Sequence, residues 1–185
     1  MITLLALSGS LRLGSSNTLL LEAAGLLAPA GMRIEPYHGI GTLPHFNPDL
    51  DGDNPPEAVM VLRRRVGASD GLLISCPEYA RGIPGSFKNA LDWLVGSFEF
   101  PGKPVALFNA SPRAGDAQAA LRLVLTTMSA RIVEEASITL PLLASRLDAA
   151  GMAGNSEIAT SVMAALAALA RTIEASVQME EGGPG

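Results

Sequence analysis

The strongest constraint on the fold is an alternation. Five short apolar runs, at 2–7, 32–35, 71–76, 104–109 and within 131–139, take turns with five segments of helical period. Those segments lie at about 17–27, 56–66, 84–94, 116–129 and 156–177. Leu20, Ala23, Ala24 and Leu27 share a face of the first helix, and Phe87, Ala90, Leu91 and Leu94 a face of the third. Ile158, Val162, Ala165, Leu166, Leu169 and Ile173 form a stripe on the last. Continuous apolar strands belong to a sheet buried on both faces, and strands that alternate with helices pair in parallel. The sequence therefore predicts an α/β three-layer sandwich, a five-stranded parallel sheet with helices on both faces. A chain of 185 residues holds this as one domain, here 1–180, with the Gly-rich 181–185 as a flexible tail.

In such a sheet ligands bind beyond the C-terminal ends of the strands. The loop after the first strand, 8–16, is rich in Gly and Ser and leads directly into a helix. The opening N–H groups of a helix lack partners within it, and its dipole favours an anion there. Ser10, Ser15 and Asn17 add donors, and Arg12 adds a two-pronged charged one. A phosphate is the natural guest. Gly9-x4-Gly14 is followed by Ser15-Ser16 without a Lys, so it is not a nucleoside-triphosphate loop, and the third Gly of a dinucleotide fingerprint is absent. A helix cap made by Ser or Asn would account for the turn. It would not account for a guanidinium within it.

Two further loops reach the same edge. Pro77-Glu78-Tyr79 offers a flat aromatic face, with Glu78 free to bond a ligand or to cap the third helix. Gly82 and Gly85 allow close approach of backbone N–H groups. In the third loop stand Asn109, Ser111 and Arg113, which read singly as caps of the fourth helix and a solvated Arg. Between the second strand and second helix, 36–56 is irregular and dense in Gly, Pro, Asn and Asp, a length that points to binding or subunit contact. Residues 141–154 also read as irregular.

Several classes are excluded or disfavoured. A net charge of −5 argues against nucleic acid as a partner, and Arg63-Arg64-Arg65 reads as a solvated helix face. One cysteine, Cys76, allows no internal disulfide and reads as a small buried residue. His38 and His45 lack the spacing and partners of a metal site. Trp93 reads as core or subunit interface, and Lys88 and Asp92 as an i, i+4 surface pair. No basic segment precedes the first strand and no run of eighteen apolar residues occurs, so neither signal peptide nor membrane span is expected, and the cytoplasm is the default location.

The motifs Gly9-Ser-Leu-Arg-Leu-Gly-Ser-Ser-Asn17, Pro77-Glu-Tyr79 and Gly82-Ile-Pro-Gly-Ser-Phe-Lys-Asn-Ala-Leu-Asp-Trp93 together resemble the NADPH-dependent FMN reductase family, with Leu43-Pro-His-Phe-Asn-Pro-Asp-Leu50 as a further likeness. That family includes quinone, chromate and azo-dye reductases. The resemblance covers most of 1–115 and implies a flavodoxin-like fold. It implies FMN with its phosphate on Ser10, Arg12, Ser15 and Asn17, Ser16 lying between the last two, and a ring bordered by Pro77, Glu78, Tyr79 and Ser111. It also implies a homodimer or homotetramer, through the long second loop and the third helix. Two positions depart from the pattern: many relatives carry Asn where this chain has Ala80, and paired glycines where it has Arg113-Ala114-Gly115. Both lie at the ring end. The expected activity is hydride transfer from NADPH or NADH through FMN to a small acceptor such as a quinone, free flavin, azo compound or metal oxyanion. No acid–base residue is expected, and Arg81 or Arg113 would meet the phosphates of the nicotinamide cofactor. The alternatives are an FMN-binding electron carrier or redox sensor without fast NAD(P)H turnover, and a flavin-free phosphate-binding domain such as a hydrolase.

Overall fold

The computed structural model describes residues 1–143 and 145–181; most of the tail expected at 181–185 lies outside the described residues. The elements are β1 (Ile2–Ser8), α1 (Ser16–Leu26), β2 (Met32–Tyr37), α2 (Glu57–Gly67), β3 (Gly71–Ser75), α3 (Gly85–Val95), β4 (Pro104–Asn109), α4 (Gly115–Thr127), β5 (Arg131–Ile132), β6 (Ile138–Thr139), α5 (Ala149–Gly154) and α6 (Ser156–Glu181). The strands run parallel in the order β2-β1-β3-β4-β5. This is the flavodoxin-like order, and its switch point falls between β1 and β3.

The pleat divides the core. Leu5, Leu7, Leu72, Ile74, Val105 and Leu107 face α2, α3 and α4, where they meet Leu62, Phe87, Leu91 and Leu121. Their neighbours Leu4, Ala6, Leu73, Ala106 and Phe108 face the other way, onto Leu20, Ala24, Val162, Leu166 and Leu169. Every residue of β3 and β4 is buried, which is why those runs are continuous rather than alternating. Truncating a fully buried side chain such as Phe108 to Ala would cost about 3–5 kcal/mol. Helix α6 has the length and hydropathy of a membrane span, but its stripe of Val162, Leu166 and Leu169 is wholly buried against the sheet, which makes it a core helix.

The structure departs from the sequence reading in three places. The fifth strand is broken: β5 pairs with the start of β4, β6 with its end, and a single 3-10 turn, Glu134–Ala136, lies between. Adjacent Glu134 and Glu135 suit a strand poorly, and the Ser137 hydroxyl accepts the Leu107 N–H at 3.1 Å, replacing a ladder bond. Within 141–154 the structure adds α5, whose N-cap Asp148 accepts from Gly151 N at 2.7 Å. Arg63 does not lie on a solvated face. It reaches back to Asp51 at 2.7 Å and to the Trp93 carbonyl, leaving Arg64 and Arg65 to pair at the surface with Glu57 and Glu35. The long second loop is pinned to α3, since Trp93 Nε1 and Asn89 Nδ2 both donate to the Pro44 carbonyl, and Phe46 packs edge-on against Trp93. Trp93 is fully buried, and Lys88 pairs with Asp92 as expected.

Candidate functional site

At the C-terminal edge of the sheet, the loops after β1, β3 and β4 enclose a cavity of about 500 Å³. That volume is in the range of small-molecule sites. Arg12, Ser15, Ser16 and Asn17 line one end, and Pro77, Glu78, Tyr79, Asn109, Ser111 and Arg113 the other, with Ala114 and Leu143. Eight of the nine residues singled out in the sequence therefore converge. The ninth, Ser10, is 7% exposed and stands behind Tyr79, its hydroxyl 3.5 Å from the phenol oxygen and accepting from Arg12 N at 3.3 Å.

The first loop leaves β1 with Gly9 N donating to Ser75 O at 2.8 Å. A Cβ on Gly9 would lie 2.9 Å from Cys76 Sγ and 3.1 Å from its Cα, so only glycine lets the first and second loops pass this closely. Gly14, at φ +65°, then turns the chain into α1. The N-cap of α1 is Ser15, yet no side chain caps the helix. The simple capping explanation of this loop is therefore not realised. Ser15 and Asn17, only 4% and 6% exposed, line the cavity at the positive end of the helix. The Ser8 hydroxyl lies 2.7 Å from that of Thr18, and the Ser75 hydroxyl donates to Asn17 Oδ1 at 2.9 Å.

The second loop is a two-residue hairpin. Tyr79 N donates to Gly82 O at 3.1 Å and Gly82 N to Tyr79 O at 3.0 Å, so the Gly82 N–H is not free for a ligand. The central residues Ala80 and Arg81 have φ +50° and +61°, the signature of a type I′ turn. Glu78 does not cap α3: its Oε2 accepts from Ala117 N at 3.0 Å, in the first turn of α4. Arg81 pairs with Asp116 on the surface. In the third loop Asn109 accepts from Ser111 N, and the Ser111 hydroxyl from Arg113 N, both at 3.1 Å. They brace the loop rather than cap α4. Cys76 is fully buried beneath the second loop, and burial pushes its thiol up to about 12, so no thiolate is available there at neutral pH.

The cavity is lined by two guanidinium groups against one carboxylate, in a chain of net charge −5. Among the described residues neither Arg12 nor Arg113 forms an ion pair, and the one lining carboxylate, Glu78, is turned to α4. An uncapped helix start, two buried polar side chains and an unpaired guanidinium fit a phosphate group. Beside them, the exposed phenol of Tyr79 and the apolar Pro77 and Leu143 suit a planar ring. No group of three or more potential metal ligands occurs among the described residues.

A model of the NADPH-dependent FMN reductase family matches residues 2–142. The chain belongs to this family. It is 42% identical over 125 residues to the NAD(P)H-dependent FMN reductase of Pseudomonas aeruginosa, covering 66% of this chain and 67% of that protein. It is 36% identical over 149 residues to a 2-hydroxy-1,4-benzoquinone reductase of a Burkholderia species, covering 77% and 80%. The solved structure of FerB, a flavoenzyme NAD(P)H:(acceptor) oxidoreductase from Paracoccus denitrificans, superposes with a TM-score of 0.83 at 32% identity, over 95% of this chain and 98% of that one. The family match spans all three loops and ends just before Leu143.

Leu143 and Ser75 escaped the sequence reading. Leu143 sits in a segment without periodicity and carries no signal. Ser75 did carry one: a hydroxyl closing an apolar strand, level with Ser8 at the end of the neighbouring strand.

Proposed function

We infer that this protein is an FMN-dependent NAD(P)H oxidoreductase that passes a hydride from NAD(P)H, by way of bound FMN, to a small acceptor such as a quinone. The observation that carries the reading is the uncapped start of α1, walled by buried Ser15 and Asn17 and flanked by the unpaired Arg12, within a cavity large enough for a mononucleotide. When bound, FMN would supply the redox chemistry, hydride acceptance and donation. The chain's own residues bind and orient. Arg12, Ser15, Ser16 and Asn17 would hold the phosphate, with the helix dipole adding to the Arg12 charge, and Ser10 would support them from behind by accepting from Arg12 N. Pro77, Glu78, Tyr79 and Ser111 would border the ring, and Glu78 fixes the second loop against α4. Arg113, which forms no ion pair among the described residues, would meet a negatively charged part of NAD(P)H; Arg81 is engaged by Asp116 and is less free to do so.

The reading extends to assembly and place. Residues 1–180 act as one FMN-binding unit. Leu50 and Val95 expose apolar surface on the 36–56 segment and at the end of α3, which supports a homodimer or homotetramer formed there and read by light scattering. The cytoplasm, where NAD(P)H is supplied, is the location this activity requires.

The visible spectrum of the purified protein, before and after anaerobic NADPH, tests the reading. A flavin spectrum that bleaches within seconds is expected. A spectrum that persists marks an electron carrier or sensor instead, and failure to retain added FMN overturns the assignment.

A further inference from the structure

Asn17 is 6% exposed, lines the phosphate end of the cavity, and has its amide oxygen occupied. The occupant is the hydroxyl of Ser75, itself completely buried, donating at 2.9 Å. An amide has one acceptor end and one donor end. With the acceptor end engaged by Ser75, the donor end is the one left for the cavity, and no protein acceptor for Asn17 Nδ2 occurs among the described residues. The opposite orientation would place a carbonyl oxygen against an anion.

The sheet explains why Ser75 can do this. Leu73 belongs to the face that packs on α1, and Ser75, two residues on, shares that face at the very end of β3. Its register partner on β1 is Ser8, whose hydroxyl meets Thr18. Consecutive residues of the first turn of α1, Asn17 and Thr18, are thus each met by a hydroxyl from the end of a different strand.

We propose that Ser75 is a positioning residue for phosphate recognition: its hydroxyl fixes the Asn17 amide so that its Nδ2 donor end is the one offered to the phosphate of the flavin nucleotide. The proposal rests on the FMN reading above and adds how that site distinguishes FMN from riboflavin, which has the same ring without the phosphate. Ser75 itself touches neither.

Titration of the full chain with FMN and with riboflavin, followed by flavin fluorescence, tests it. Ser75→Ala is expected to weaken FMN about tenfold, the scale of one hydrogen bond to a charged group, while leaving riboflavin unchanged. In an Asn17→Ala background the same substitution is expected to have no further effect, because the amide it orients is gone. Ser75→Cys, a weak donor of nearly the same volume, is expected to fall between and serves if Ser75→Ala does not fold. Unchanged FMN affinity, equal loss of both flavins, or full additivity with Asn17→Ala would overturn the proposal. If the wild-type protein binds no FMN, the functional reading fails and the proposal with it. If the wild type binds FMN and Ser75→Ala binds it equally well, only the proposal fails.

Discussion

The two ends of the cavity are built in opposite ways. At the phosphate end Ser15 and Asn17 are buried, and hydroxyls at the ends of β1 and β3 meet Thr18 and Asn17 in the first turn of α1, at 2.7 and 2.9 Å. At the ring end Tyr79 is 52% exposed and Leu143 62% exposed, and Tyr79 rides on a turn with two non-glycine residues in the left-handed region. The first end is fixed by the sheet. The second is a loop assembly tied down at single points, such as Glu78 to Ala117. Binding energy from the part of a ligand that does not react can thus hold the part that does. The departures from the family pattern, Ala80 and Arg113-Ala114, both lie at the adjustable end.

The largest effect is expected where the two ends touch. Gly9→Val places carbon within about 3 Å of Cys76 and Pro77 and forces the first and second loops apart. Overpacking of this kind costs about 1–3 kcal/mol. Thermal denaturation should show it, together with loss of both FMN and riboflavin. Loss of FMN alone would mean that the ends are less coupled than the contact implies. Arg12→Ala should act on one end only. It removes the guanidinium nearest the start of α1, so FMN should weaken about ten- to hundredfold with riboflavin unchanged. The dependence of FMN affinity on salt should shrink as well. An equal loss of both flavins would place Arg12 under the ring and erase the contrast between the ends.

The same contrast governs what the sequence reveals. The sheet is legible because β3 and β4 are uninterrupted apolar runs, and the first loop's share of the cavity wall is legible because its polar residues lie within one short segment, 12–17. Contacts made across the fold leave no local mark. Glu78 reads as equally able to cap α3, seven residues on, and only the fold shows that its partner is Ala117, across the site on α4. Arg63 looks like its neighbours Arg64 and Arg65, but its place on α2 turns it toward Asp51 and the Trp93 carbonyl. A fifth strand is legible within 131–139, but not that it comes as two short pieces. The break comes from Ser137, whose side chain takes over a backbone role.

The smallest effect expected is at the hairpin of the ring end. Ala80 at φ +50° and Arg81 at φ +61° occupy the central positions of a type I′ turn, where Asn and Gly are favoured and other residues carry about 1–2 kcal/mol of strain. Ala80→Asn keeps the backbone and lowers that strain, so the melting temperature should rise by about 1–4 °C. Riboflavin affinity should rise slightly as the Tyr79 platform spends more time in place, while the ratio of FMN to riboflavin affinity stays constant, since the phosphate contacts lie elsewhere. A change in that ratio would show that the hairpin reaches the phosphate end, which the one long contact between Tyr79 and Ser10, at 3.5 Å, is too weak to enforce. An unchanged melting temperature would mean that the Tyr79–Gly82 bonds and the Arg81–Asp116 pair already hold the turn as firmly as the sheet holds α1, and the ring end would then be as rigid as the phosphate end.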